Sequence, residues 1–338
     1  MTSAWTWRAA MAIMAIVMVA SEANTEIAAS IEYNVVERPA GLPAEFAAPA
    51  GVNLRFLAIK TIDGFRVDAA LWQPDGKVAG TTTLVVGVHG SGENFVKPPT
   101  GFLSPGLAAR GYGVLAINTR QNGERVNTDN FFEVRRDIEA AVYTARALGY
   151  RALVLYGHSL GNIQVQFYAA NNWEPDIKAV VMTGMFGNLP WKSRNMLVQN
   201  EDNYRQLTET AFKALREGRA AEVLPVRMFW ITGQQVPLTG QHFLSYRHEA
   251  TSTADGTYWI KRVPRPILMV RDAGDAIVQA FEPYMLLSAA TSPGSLVPSA
   301  KLVVLPNPKG PSPAAHSFID NQQVLVETVS AWLAEQQL

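Results

Sequence analysis

The sequence predicts an α/β protein with a mostly parallel, eight-stranded sheet flanked by helices, and two observations support this prediction. Short runs that are apolar on both faces recur along the chain, which is typical of parallel strands covered by helices on both sides. The segments between these runs are long enough for crossover helices. The runs cover residues 83–88, 113–118, 152–156, 178–183, 266–271 and 301–305.

The two remaining strands precede these runs. Residues 54–60 and 66–73 flank the turn-forming pair Asp63-Gly64. A short apolar run on each side of such a turn predicts an antiparallel hairpin. Helices are expected between and after the strands, where apolar residues recur at helical spacing. The predicted helices cover residues 103–110, 131–148, 159–171, 279–290 and 318–335.

The amino-acid composition fits a large buried core and excludes several functions. The 338 residues include 29 basic and 29 acidic side chains, so the formal net charge is zero and we predict no nucleic-acid partner. Hydrophobic residues make up 48% of the chain and charged residues only 17%, which is enough to bury a core. Because the chain has no cysteine, it has neither a thiol nucleophile nor a thiolate metal site, and we predict no metal centre.

The N-terminus has the pattern of an export signal. Arg8 provides a positive charge, and the following apolar residues 9–20 are too few to span a bilayer. Small residues in Ser21-Glu22-Ala23 then suit a signal peptidase. We therefore predict a signal peptide over residues 1–23 with cleavage after Ala23, and a secreted or periplasmic protein with no stable membrane span after processing. The alternative is an uncleaved N-terminal anchor.

Residues 185–262 interrupt the alternation of strands and helices between the sixth and seventh predicted strands. This segment contains a predicted helix, residues 204–217, and an unusual number of aromatic side chains. An insertion after a parallel strand lies over the edge of the sheet where ligands bind. The aromatic residues are Trp191, Phe229, Trp230, Phe243, Tyr246, Tyr258 and Trp259.

We interpret this insertion as a cap that contributes to substrate choice. The predicted organisation is then a lead segment over residues 24–53, a core over residues 54–184 and 263–338, and the cap over residues 185–262. The alternative is a helical packing element with no role in substrate choice.

The segment ALVLYGHSLG, residues 152–161, carries the chemistry on which the functional prediction depends. Its last five residues match G-x-S-x-G between a predicted strand and a predicted helix. A sharp strand-to-helix turn forces its central residue into a strained conformation and brings backbones close together, so the flanking residues must be glycine. We predict that Ser159 is a nucleophile at this turn. The alternative is a turn of small residues without function.

A serine hydroxyl needs a histidine as general base, and the chain has five candidates. His158 adjoins the serine and points elsewhere on a sharp turn, and His89 ends an earlier strand. His242 and His248 lie in the predicted cap. His316 follows the last strand and a proline-rich loop, where a catalytic histidine is expected, so we assign it as the base.

The carboxylate that orients the histidine is expected between Ser159 and His316 in the chain. Two aspartates, Asp272 and Asp275, follow the seventh predicted strand. Asp275 is the preferred candidate because Ile277-Val278 can return the chain to the core behind it. Asp272 is the alternative acid. If Asp272 is not the acid, we expect it to cap the turn or to pair with Arg271.

Two backbone amides are expected to bind the oxyanion that forms during acyl transfer. One belongs to the residue after the nucleophile, Leu160. The other is expected in the loop after the third predicted strand, where glycines flank Ser91. We assign Ser91 as the second donor and keep Gly92 as the alternative.

Four motifs together resemble the α/β-hydrolase superfamily, in particular its serine esterases and lipases. They are HGSG at 89–92, GHSLG at 157–161, DAGDAIV at 272–278 and AHSF at 315–318. The lead-in DGFRVDAALWQPDG is similar to that of esterases and peptidases of the superfamily that begin with a hairpin. The resemblance covers about residues 54–335. It implies an α/β-hydrolase fold, a serine acyl-enzyme and no cofactor, and it leaves the substrate open.

The sequence therefore predicts an exported serine hydrolase that cleaves carboxylic esters through Ser159, His316 and Asp275. The aromatic cap suggests a small-molecule ester with an apolar or aromatic part as the substrate. A serine peptidase, a lactonase or a thioesterase of the same fold is the alternative enzyme. A hydrolase-like binding protein without turnover is the alternative from another functional class, and an intact triad argues against it.

Overall fold

The protein is described here from a computed structural model. The described residues are 32–197, 201–229 and 233–338. The predicted signal peptide over residues 1–23, with cleavage after Ala23, lies outside them. Trp230 of the predicted cap also lies outside the described residues.

In the described part of the chain, nine strands form one sheet and two short strands form a separate hairpin. The sheet has the order β1-β2-β3-β5-β4-β6-β7-β10-β11. Its first three contacts are antiparallel and all the later ones are parallel. The strands are β1 (Tyr33–Val36), β2 (Val52–Lys60), β3 (Arg66–Pro74), β4 (Thr83–Val88), β5 (Gly113–Asn118), β6 (Ala152–His158), β7 (Ile177–Thr183), β8 (Met228–Phe229), β9 (Gln235–Val236), β10 (Ile267–Asp272) and β11 (Ala300–Leu305).

The predicted α/β class with a mostly parallel sheet is confirmed. All eight predicted strands are present, and β1 adds a ninth strand that the sequence analysis did not predict. β1 lies in the lead segment and pairs antiparallel with β2, from Tyr33 opposite Ile59 to Val36 opposite Phe56. The lead segment also contributes Phe46, which is buried with its ring centroid 5.4 Å from that of Trp72.

Helices connect most of the strands, as the lengths of the connecting segments predict. Short turns of tighter or wider helix lie at Ala79–Thr81, Gly123–Arg125, Phe131–Glu133, Ser193–Leu197 and Phe243–Arg247. The α-helices are α1 (Thr100–Ala108), α2 (Val134–Ala147), α3 (Leu160–Asn171), α4 (Leu189–Lys192), α5 (Glu201–Arg216), α6 (Gly240–His242), α7 (Gly256–Ile260), α8 (Glu282–Ala290), α9 (Pro313–His316) and α10 (Gln322–Glu335).

The sheet has a hydrophobic cluster on each face because successive side chains of a strand point to opposite sides. In β4, Leu84 and Val86 belong to the cluster that contains residues of α2, α3 and α8. Val85, between them, belongs to the cluster that contains residues of α1 and α10. Burial on both faces explains why these strands read as continuous apolar runs in the sequence.

The carboxyl ends of the parallel strands meet at one edge of the sheet. The chain leaves β4 toward β5 on one side and reaches β6 on the other side, so the strand order reverses next to β4. Ligands of open α/β sheets bind at such a reversal, outside the carboxyl ends of the strands. The predicted Ser159, which directly follows β6, therefore lies at the expected edge.

The insertion over residues 185–262 forms a small core of its own and contacts the loop that follows β5. Its core includes residues of α5, β8 and the wider helical turn Phe243–Arg247. The amide of Thr239 donates to the carbonyl of Asn127 at 3.0 Å, and the side chain of Gln241 donates to the carbonyl of Thr128 at 2.7 Å. The insertion is thus attached to a loop that leaves the carboxyl edge of the sheet.

Candidate active site

Ser159 occupies a strained turn between β6 and α3. Its backbone has φ 50° and ψ −118°, a conformation that costs roughly 1–3 kcal/mol and persists only where its surroundings hold it. A Cβ at Gly157 would lie 2.6 Å from the carbonyl oxygen of Gly161, and one at Gly161 would lie 2.5 Å from that of Val88. The two glycines of the motif therefore allow the close backbone contacts that the turn requires.

His316 and Asp275 lie in hydrogen-bond contact. His316 Nδ1 is 2.9 Å from Asp275 Oδ2, and both side chains are buried. The other carboxylate oxygen of Asp275 accepts hydrogen bonds from the amides of Ile277 at 2.8 Å and Val278 at 3.0 Å. The aspartate is thus fixed by its own loop, and the histidine is fixed by the aspartate.

The surroundings of Asp275 favour its ionised form. Burial is the largest influence and raises the pKa, but the hydrogen bond and charge of His316 and the amides of Ile277 and Val278 outweigh it. The pKa of Asp275 is therefore lower than usual. An ionised aspartate accepts the Nδ1–H of His316, which leaves Nε2 as the basic nitrogen.

Asp272, the alternative acid of the sequence analysis, has a different set of partners. Its buried carboxylate accepts hydrogen bonds from the amide of Gly274 at 2.8 Å and from the side chains of Asn307 at 3.0 Å and Asn321 at 2.8 Å. Asp272 thus joins the loop after β10 to the loop after β11. Of the two aspartates, Asp275 contacts His316.

Gly184, which follows β7, provides the space in which His316 lies near the turn of Ser159. Its φ is 56°, and a Cβ there would lie 2.8 Å from His316 Cε1 and 2.9 Å from His158 Cε1. The amide of Ser159 donates to the carbonyl of Thr183, next to this glycine, at 3.0 Å. Ser159 and His316 are therefore positioned by the same strand end.

The other two histidines near this edge have structural partners. His158 is buried, and its Nδ1 lies 3.1 Å from Thr183 Oγ1. His89 Nδ1 lies 2.6 Å from the carbonyl oxygen of Gly90, while its Nε2 accepts the amide of Thr119 at 3.1 Å. Burial lowers the pKa of His89 to about 4, against the opposing effect of Gly90. Both rings are held inside the structure in the neutral form.

The predicted oxyanion donors lie on the two segments that flank the nucleophile. Leu160 is the first residue of α3, where helix amides have no partner within the helix. Ser91 lies in the loop after β4, and this loop contacts the nucleophile because a Cβ at Gly90 would lie 3.0 Å from Ser159 Cβ. Neither amide donates a hydrogen bond to an acceptor of the described residues.

A buried polar cluster joins the insertion to the core, and the sequence analysis did not predict it. Asp129 accepts hydrogen bonds from Tyr246 Oη at 2.9 Å and from the side chain of Gln121, and it lies 3.3 Å from His242 Nδ1. Gln164 of α3 donates to Tyr246 Oη at 3.2 Å. Asp129 lies 117 positions from Tyr246 and 113 from His242 in the chain, so no local sequence pattern predicts these contacts.

Burial gives this cluster a pH dependence. It is the largest influence on Asp129 and raises the pKa to about 7, although the hydrogen bonds from Tyr246 and Gln121 lower it. Because the folded pKa lies above the ordinary value of 3.8, the stabilisation by this group is complete below that value and is lost as the pH rises through about 7.

We therefore expect Asp129→Asn to change how stability depends on pH. Between pH 4 and 7, the unfolding free energy of the wild type minus that of the variant falls as the pH rises, by roughly 3 kcal/mol in all. Urea unfolding at several pH values measures this difference. Asp75→Asn removes an exposed carboxyl and is the control. A difference that stays constant with pH would contradict the prediction.

A second buried contact links the insertion to the loop of Asp275. Lys192 Nζ lies 2.5 Å from Glu282 Oε1 and donates to the carbonyl of Ile277 at 2.9 Å. Glu282 also accepts the amides of Gly187 at 3.2 Å and Gln279 at 2.9 Å. This ion pair, which the sequence analysis missed, holds the end of α4 against the loop whose amides bind Asp275.

The described residues contain no group of three or more histidine, cysteine, aspartate or glutamate side chains that could hold a metal ion. None of their helices combines the length and the apolar character that crossing a membrane requires.

Comparison with known proteins assigns the family. A family profile for the alpha/beta hydrolase fold matches residues 83–307, about two thirds of the chain, including β4, the turn of Ser159 and Asp275. The chain belongs to the alpha/beta hydrolase family. The expected superfamily and fold class are therefore confirmed. A search of curated protein sequences finds no match to this alpha/beta hydrolase.

Solved structures with this fold include several esterases. Est1E from Butyrivibrio proteoclasticus, bound to ferulic acid, has a TM-score of 0.60 at 18% identity over 81% of this chain and 96% of its own. The esterase domain of a Rhodothermus marinus protein has a TM-score of 0.54 at 20% identity, covering 83% and 97%. Acetyl xylan esterase from Paenibacillus sp. R4 has a TM-score of 0.57 at 14% identity, covering 92% of each chain. The fold of this alpha/beta hydrolase is thus one on which esters are hydrolysed.

Proposed function

We propose that this protein is a serine hydrolase that cleaves carboxylic esters through an acyl-enzyme on Ser159. The observation that carries the proposal is the 2.9 Å contact between His316 Nδ1 and Asp275 at the sheet edge where Ser159 lies. A histidine oriented by an ionised carboxylate beside a serine on a strained turn is the arrangement that serine hydrolases share across unrelated folds. The esterase names of the neighbouring structures agree with this reaction.

In the proposed reaction, His316 Nε2 takes the proton of Ser159 Oγ while the oxygen attacks the ester carbonyl carbon. The carbonyl electron pair moves to its oxygen, and the amides of Ser91 and Leu160 stabilise the resulting negative charge. The bond to the alcohol oxygen then breaks, and His316 returns the proton to the leaving alcohol. Water repeats these steps on the acyl-enzyme and releases the acid.

The role of Asp275 in this reaction follows from its hydrogen bonds. Its carboxylate holds the Nδ1–H of His316 and stabilises the positive charge that the ring carries after it takes the serine proton. Because two backbone amides bind the other carboxylate oxygen, the aspartate keeps its position while the histidine charge changes.

The insertion over residues 185–262 is proposed to act as the cap over this site. Leu189, Tyr246 and Ala254 of the insertion share a hydrophobic cluster with Leu160, which follows the nucleophile, and with Val278 of the Asp275 loop. An apolar wall at this place suits an ester with an apolar or aromatic part. A neighbouring esterase is described with ferulic acid, an aromatic acid. Export of the protein, to the periplasm or the medium, remains part of the proposal.

Hydrolysis of p-nitrophenyl esters of graded chain length tests the proposed function. We expect release of p-nitrophenol with saturation kinetics, and a preference among acyl chains that reflects the apolar cluster. Matched amide, lactone and thioester substrates, assayed in parallel, distinguish the esterase from the other hydrolases of the fold. A folded protein that hydrolyses none of these substrates would contradict the proposal.

A further inference from the structure

Glu93 is a charged residue beside the site that the proposed mechanism does not use. Its side chain turns back over its own loop, and its Oε2 accepts the amide of Gly90 at 2.9 Å. Its own amide donates to the carbonyl of Gly90 at 3.3 Å. Glu93 therefore closes the turn that contains Ser91.

The carboxylate of Glu93 lies next to the nucleophile. A Cβ at Gly90 would lie 2.7 Å from Glu93 Oε2 and 3.0 Å from Ser159 Cβ. The carboxylate and the nucleophile therefore both lie against the same glycine. A charge at this place acts directly on the reacting atoms because the site is partly shielded from water.

No lysine or arginine of the described residues lies at ion-pair distance from this carboxylate. Among the residues that the structure describes, the basic group at ion-pair distance is His158, whose Nε2 lies 4.0 Å from Glu93 Oε2. His158 is neutral because burial, followed by the charge of His316, holds its pKa well below the usual range. Burial raises the pKa of Glu93 itself, and the charges of His316 and Lys97 oppose this effect.

The second oxygen of Glu93 is available to a ligand. Oε1 accepts no hydrogen bond from the described residues, and the side chain is 24% exposed. A negative charge here repels the negative oxyanion that forms during the reaction, so it disfavours the hydrolysis of a neutral ester. An ester that brings its own positive charge close to the carbonyl removes this disadvantage and pairs with the carboxylate.

We propose that Glu93 selects esters that carry an ammonium group close to the scissile carbonyl. This inference rests on the proposed ester hydrolysis and adds the class of substrate. Glu93 thereby determines specificity, whereas Ser159 and His316 carry out the reaction. Esters with a carboxylate at the same position are rejected by repulsion between like charges.

Two pairs of esters test the proposal because each pair differs only by an ammonium group in place of a methyl group. p-Nitrophenyl β-alaninate and p-nitrophenyl butanoate vary the acyl side, and aminoethyl butanoate and propyl butanoate vary the alcohol side. For each pair, the ratio of kcat/KM is divided by the ratio of uncatalysed hydrolysis rates to correct for intrinsic reactivity. We expect the wild type to favour the charged ester at least about tenfold in at least one pair.

Glu93→Gln removes the charge but keeps an oxygen that accepts the amide of Gly90. The preference for the charged ester is expected to fall at least about tenfold in this variant. Glu124→Gln, which removes an exposed charge from the loop after β5, is the control and should keep the wild-type preference. Because the wild-type ratio is itself a test, the proposal stays falsifiable if Glu93→Gln does not fold.

The outcomes separate this inference from the proposed function. If the wild type hydrolyses both esters of each pair without preferring the charged one, the role of Glu93 is refuted and ester hydrolysis stands. If Glu93→Gln keeps the wild-type preference, the role of Glu93 is also refuted, because the carboxylate then only stabilises its own loop. If the wild type hydrolyses none of the four esters nor the graded p-nitrophenyl series, the proposed function itself fails.

Discussion

Ser159→Ala is expected to lower kcat for p-nitrophenyl esters by a factor on the order of 10⁵ to 10⁶ while the protein stays folded. Without Oγ, no acyl-enzyme forms, and only binding and the oxyanion donors can still accelerate attack by water. The substitution should not reduce stability. The side chain of Ser159 forms no hydrogen bond with the described residues that alanine would remove, and alanine fits the same turn.

Ester hydrolysis and thermal unfolding of the purified variant measure these two effects separately. Ser288→Ala changes an exposed serine of α8 and is the matched control, which should retain wild-type activity. Turnover by Ser159→Ala within about tenfold of the wild type would contradict the prediction, because it exceeds what binding and oxyanion donors provide without the nucleophile.

Asp275→Asn is expected to lower kcat by about 10⁴-fold, the second largest effect. An asparagine keeps the shape of the side chain but has no charge to stabilise the protonated ring of His316. Its amide can also donate to Nδ1 of His316, which places the ring proton on Nε2. A protonated Nε2 cannot accept the serine proton. The loss should therefore appear in kcat rather than in folding.

Asp272→Asn provides the contrast because Asp272 accepts three hydrogen bonds from Gly274, Asn307 and Asn321. This variant should lose stability, by roughly 1–3 kcal/mol, and keep most of its activity. Steady-state kinetics and urea unfolding of both variants distinguish the two roles. The opposite result, an inactive Asp272→Asn beside an active Asp275→Asn, would overturn the assignment of the acid.

The central strands β4, β5, β6, β7 and β10 could be predicted from the sequence because they are buried on both faces and read as apolar runs. β1 could not. It is four residues long at the edge of the sheet, and its Val35 is 58% exposed. Such a strand forms because the edge of β2 offers it hydrogen-bond partners, and this long-range pairing leaves no pattern in four residues.

The sequence before α2 carries a second local signal for the start of this helix. Asn130 and Glu133 form a capping box over the first turn, so the predicted helix over residues 131–148 begins as the tight turn Phe131–Glu133 before α2. Asparagine followed three residues later by glutamate is a known helix-start pattern. This pattern places the N-cap at Asn130 and so agrees with the predicted start of the helix at residue 131.

The candidate site was predictable where chain order and local motif restrict it, as for Ser159 and His316. The choice between Asp272 and Asp275 remained open because both lie near the end of the same strand. The structure distinguishes them by their distant partners, because Asp272 contacts Asn321 and Asp275 contacts His316. Contacts between residues far apart in the chain cannot be read from local patterns, and the polar cluster around Asp129 was missed for the same reason.

Glu93 was also missed, although its position carried a signal. It follows Gly90 by three residues, a spacing at which a side chain can turn back to the amide of the earlier residue. The sequence indicates this local contact. It does not reveal that Ser159 lies on the other side of Gly90, because that contact joins β4 to β6 through the sheet.

A fluorophosphonate forms a covalent bond with an activated serine, so the mass of the protein after this reaction shows whether Ser159 is the nucleophile. We expect the addition of one phosphonyl group per chain, located on the peptide that contains Ser159. Ser159→Ala should remain unmodified under the same conditions. A wild type that stays unmodified, or that is modified at another serine while Ser159 remains free, would contradict the account.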